Sequence, residues 1–137
     1  MIDLVTRCDA IEECYEFMLA YAAQGVVEET GSPSSGQLRT FLQRAELALD
    51  DLAGACRAAV DQGGLQPVDR YLAFVDVLDR DARSALAAVR LVLAQPSIGS
   101  QLIDNLNASI HVRALLTDLF LIDEILKTRA GNPVQRT

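Results

Sequence analysis

Three observations predict an all-α fold, an antiparallel up-down four-helix bundle in a single domain spanning residues 1–137. Four long stretches repeat apolar residues at steps of four and three, the spacing that keeps one side chain per turn on one helix face. Glycine or proline separates each stretch from the next. No segment alternates polar and apolar residues over a strand length.

The first helix is expected at about 3–24, on the ladder Leu4, Cys8, Ile11, Tyr15, Met18 and Ala22, with Gly25 as its stop. Residues 25–35 include the polar run EETGSPSS and are expected to form a flexible loop. A second helix, about 36–62, carries Leu38, Leu42, Ala45, Leu49, Leu52, Cys56 and Ala59. Ser34 or Ser35 can cap it, and Gly63-Gly64 ends it. The third, about 67–94, starts at Pro67, whose missing N–H costs nothing in a first turn, and runs along Tyr71, Val75, Leu78, Ala82, Leu86, Val89 and Leu93 to Pro96. The fourth, about 98–129, is capped by Ser97 or Ser100 and leaves a short tail at 130–137. Short connections force neighbouring helices antiparallel.

Charge and composition narrow the function. The chain has 19 acidic and 12 basic residues, a net charge of −7. Without a basic stripe it repels phosphates, so nucleic acid is not an expected partner. No stretch approaches 18 uncharged apolar residues, and the N-terminus has no basic segment followed by an apolar run. No membrane association is expected, and the location expected is the cytoplasm. Three cysteines form no CxxC pair, so Cys8 and Cys56 read as buried hydrophobes, with Cys14 towards the flank of its helix.

The most chemical-looking segment is Glu12-Glu13-Cys14-Tyr15-Glu16, with Asp9 alongside. On a helix these acids share one face, and clustered carboxylates can hold Mg²⁺. The segment resembles the EExxE half of the all-α nucleotide pyrophosphohydrolases of the MazG type, which complete a metal site with an ExxD motif on a neighbouring helix. The nearest counterpart is Asp76-Val-Leu-Asp79, with Asp in place of Glu. The resemblance implies an alternative function, Mg²⁺-dependent pyrophosphate release from nucleoside triphosphates by Glu12, Glu13, Glu16, Asp76 and Asp79. The preferred reading of these acids is a solvated helix face, since Asp76 and Asp79 precede Arg80 and Arg83 by four residues, the usual helix ion-pair spacing.

His111 is the only histidine, which removes His-rich zinc sites and di-iron bundles. Asp104, His111 and Asp118 recur at seven-residue spacing along one helix edge, and His111 is expected to bond Asn107 or an acid. No nucleophile elbow or glycine-rich phosphate cradle occurs. No catalytic residue and no cofactor are assigned.

Helix four carries too much apolar surface. Leu115, Leu116, Leu119, Phe120, Leu121, Ile122, Ile125 and Leu126 cover most of its circumference, whereas a surface helix needs an apolar arc of about 100°. A second copy of the chain is the simplest cover. The expected interface is Leu115, Leu119, Phe120, Leu121 and Ile125. Together these features predict a noncatalytic adaptor or accessory factor that pairs with itself and with another cytoplasmic protein. Ligand storage in a core lined by Tyr15, Met18, Phe41 and Phe74 is a third expectation.

Overall fold

In the computed structural model, which describes residues 3–29 and 34–131, the fold is all-helical. Positions 30–33 of the expected loop and the tail at 132–137 lie outside the described residues. Six helices are present among those residues: α1 (Leu4–Ala23), α2 (Ser35–Leu49), α3 (Leu52–Gly63), α4 (Val68–Leu93), α5 (Ser100–Ala108) and α6 (Ile110–Gly131). Among the described residues, no helix is long and apolar enough to cross a membrane.

Two of the expected long helices are broken. The stretch at 36–62 divides where Asp50 turns extended and Asp51 takes a left-handed φ of 58°. Arg7 of α1 stabilises this break, donating to the carbonyls of Leu47, Ala48 and Asp50 that helix ending leaves without partners. The stretch at 98–129 divides at Ser109, whose extended backbone ends α5. Its hydroxyl accepts from the Val112 N–H at 3.2 Å, the N-cap arrangement that starts α6 afresh.

The helix ends follow ordinary capping chemistry. Asp3 caps α1 by accepting from the Thr6 N–H at 2.9 Å, and Gly25 follows with a positive φ of 69°. Gly64 closes α3 at a positive φ of 56°. Pro67 stands at the cap position before α4 rather than inside its first turn.

α1 packs on α2, α3 and α5; α4 packs on α2, α3, α5 and α6. Their inward faces form one core whose most enclosed members include Leu38, Leu42, Leu78, Ile98, Ile103 and Leu119. Cys14, expected on a flank, is fully enclosed here beside Cys8 and Cys56. A Phe17–Phe41 stack with ring centroids 4.7 Å apart flanks the core at the α1–α2 contact.

A polar knot fastens one end. Tyr21, fully buried, donates from its hydroxyl to the Ile98 carbonyl at 2.6 Å. Ser100 donates from its hydroxyl to the Tyr21 carbonyl and accepts from the Val26 N–H. Glu29 holds Arg39 through both carboxylate oxygens and accepts from the Ile98 N–H. That guanidinium also donates to the carbonyls of Leu93 and Gln95 at the end of α4. Because the chain passes so close here, a Cβ at Gly99 would lie 2.9 Å from the Val27 carbonyl oxygen.

Two substitutions probe the knot. Tyr21→Phe leaves the Ile98 carbonyl unpaired in an enclosed site and should cost roughly 1–3 kcal/mol in urea unfolding. Gly99→Ala should cost a similar amount, on the order of 1–3 kcal/mol, by forcing two backbone segments apart. Unchanged unfolding midpoints for both would contradict the knot.

Candidate functional site

The outer surface of α6 is the most conspicuous candidate. α6 repeats apolar residues on the side away from the core: Ile110 is 74% exposed, Phe120 55% and Leu121 51%, with Ile125 less open. The sequence-expected interface therefore divides. Leu115 and Leu119 are buried in the chain's own core, so they brace the helix and are removed from any contact surface. Phe120, Leu121 and Ile125 remain available. The physical reason is helical phase: Leu115, Leu119 and Ile122 lie on the stripe that meets α4, and Leu121 lies on the opposite side.

The acids of the alternative metal-site reading have separate neighbours. Glu12 lies against α6, where burial first, and then Asp123 and Asp9, raise its carboxyl above the usual range. Asp123 is itself paired with Lys127 at 3.0 Å. Glu13 and Glu16 are exposed. Asp76 bonds Arg57 of α3 at 3.3 Å rather than Arg80, and Asp79 bonds Arg83 at 3.0 Å as its spacing predicts. The acids of α1 and α4 thus serve different neighbours. Among the described residues, no group of three His, Cys, Asp or Glu side chains is placed to hold a metal ion.

The thiols are unreactive by environment. Burial pushes Cys8 and Cys14 up to about 12 and Cys56 up to about 11, so each stays protonated at neutral pH. His111 is exposed and, among the described residues, bonds neither Asn107 nor an acid, contrary to expectation. Asn107 is buried instead, and neither of its amide atoms has a hydrogen-bond partner among the described residues. It underlies an open cleft of about 910 Å³ walled by Tyr15, Leu19, Val26, Asp104 and Arg113.

A carboxyl pair joins α4 and α6 that sequence spacing does not reveal. Asp118 of α6 is only 7% exposed, and the carboxylate of Asp81 on α4 acts on it. Burial first, and then Asp81, push the Asp118 carboxyl up to about 7.

No family model, curated protein or solved structure matches this chain. Its own surfaces carry the functional reading.

The carboxyl pair sets a pH dependence with a definite sign. Asp118 binds its proton more tightly when folded than the usual 3.8, so its contribution to stability is complete below about pH 4. That contribution is lost as pH rises through 7. Measured in dilute solution, unfolding free energy should fall by on the order of 2 kcal/mol between pH 5 and pH 8. Asp118→Asn should flatten the profile, and an unaltered profile would refute the raised Asp118 carboxyl.

Proposed function

We propose that the protein is a noncatalytic cytoplasmic interaction factor that works as a homodimer, joined through the outer face of α6. The observation that carries this reading is the doubled apolar character of that helix. Leu115, Leu119 and Ile122 already fill the core, and Phe120, Leu121, Ile125 and Ile110 are left over on the far side. Monomeric proteins rarely expose contiguous apolar patches of large area, and such patches commonly mark contact surfaces. A homodimer covers the patch with a surface of the same kind.

The up-down bundle is part of the same reading. α2 with α3, and α5 with α6, act as two bent rods beside α1 and α4. Support comes from Arg129 near the end of α6 donating to the Tyr71 hydroxyl near the start of α4, the pairing that antiparallel neighbours make. Dispersed acids and protonated thiols leave binding as the chemistry these surfaces support. A further protein partner would be recruited by the assembled dimer.

Light scattering coupled to size exclusion tests the dimer. At tens of micromolar the protein should elute with twice the chain mass. Leu121→Glu and Phe120→Glu should shift it to the monomer with little loss of thermal stability, because both side chains are half exposed in the single chain. A monomeric wild-type protein at that concentration would overturn the reading.

A further inference from the structure

The packing of α5 on α1 leaves the cleft of about 910 Å³ that Asn107 lines. Asn107 is 7% exposed, and neither its Nδ2 nor its Oδ1 has a hydrogen-bond partner among the described residues. Ser35 and Ser100, buried as deeply, both donate to main-chain carbonyls. An enclosed amide without partners is destabilising, and a native structure that keeps one has a use for it.

Two opposite charges border the same cleft. Asp104 stands one turn before Asn107 on α5, and Arg113 lies in the first turn of α6. Both are exposed, and neither forms a side-chain ion pair among the described residues. Leu19 and Val27 add exposed apolar sides. The nine residues of α5 measure about 13 Å, the span of roughly four residues of extended chain.

We propose that this cleft binds an extended peptide carrying a basic side chain, its main chain paired with Asn107 and Arg113 and its cation with Asp104. The proposal rests on the interaction reading and supplies the partner's chemistry. One chain walls the cleft, so binding there does not require the contact through α6. In an extended chain the N–H and C=O of one residue point to the same side, which complements the acceptor and donor of a carboxamide. A guanidinium donates to further carbonyls, as Arg7 and Arg39 already do inside this fold. The basic side chain follows from Asp104 and from the net charge of −7, which draws cationic segments and repels acidic ones. A single small amide would answer Asn107 alone, whereas a peptide reaches all three groups along the cleft.

Nuclear magnetic resonance titration of the full, isotopically labelled chain with the capped tetrapeptide acetyl-Ala-Lys-Ala-Ala-amide tests this. Saturable shifts are expected at the Asn107 side-chain amide and along α5. The peptide with Glu in place of Lys should bind at least about tenfold more weakly, as should the Lys peptide to Asp104→Asn. Asn107→Leu should abolish binding yet melt at or above the wild-type temperature, because an unpaired enclosed amide has been replaced by apolar atoms. A merely structural asparagine would not give that combination. Arg113→Ala, at an exposed position, should also weaken binding and serves if Asn107→Leu does not fold. No saturable shift with millimolar peptide, equal binding of the two peptides, or displacement by free lysine as effective as by the tetrapeptide would overturn the peptide site. Each of those outcomes leaves the homodimer standing, since its mass is measured without peptide. Binding by a chain that stays monomeric would support the cleft and remove the homodimer alone.

Discussion

Ser100 stands where separate stretches of chain meet, and its position constrains the helices on either side. Its N–H donates to the Val26 carbonyl at 2.7 Å, while its hydroxyl links the Val26 N–H to the Tyr21 carbonyl. Every partner lies more than seventy residues away in sequence, so each bond closes a long loop. Buried polar groups without partners cost about 1–3 kcal/mol each, which makes a fully paired knot specific about which segments meet. Tyr21, Glu29 and Arg39 extend it to the end of α4 and the start of α2. With Ser100 fixed, α5 starts at a set point, and the turn at Ser109 then sets the phase of α6.

That phase decides which apolar residues of α6 are used inside the chain. The stripe of Val112, Leu115, Leu119 and Ile122 meets the core, and the helix has enough leucine and isoleucine to cover a second side. A helix serving only its own core needs polar residues there. Here the outward positions hold Ile110, Phe120 and Leu121 interleaved with Arg113, Thr117 and Glu124. The packing of the single chain and its proposed association are thus two uses of one helix, separated by rotation about its axis.

The periodic ladders made the helices and most core positions legible, since Leu38, Leu42, Leu78 and Leu119 need only spacing to be recognised. The break at Asp50–Asp51 was hidden because neither residue is glycine or proline, and the guanidinium that satisfies the broken end comes from Arg7, far off in sequence. The break at Ser109 had a local signal, a cap residue inside an apolar run, which the surrounding periodicity outweighed. Asp118 was visible only as one of three regularly spaced polar residues. No spacing ties it to Asp81 of α4, and only packing of α4 on α6 brings the two to one seam. His111 was expected to bond Asn107 or an acid, but the break at Ser109 puts the two on separate helices, with the histidine exposed and the amide buried.

The most direct test of a contact through α6 is intermolecular paramagnetic relaxation. A spin label placed on exposed Thr117 through Thr117→Cys, with the buried native thiols unreacted, is mixed with isotopically labelled unmodified protein. Broadening in the labelled copy should concentrate on α6 and the adjoining edge of α4. Broadening centred on α1 and α2, or none at concentrations where the protein is fully assembled, would contradict association through that helix.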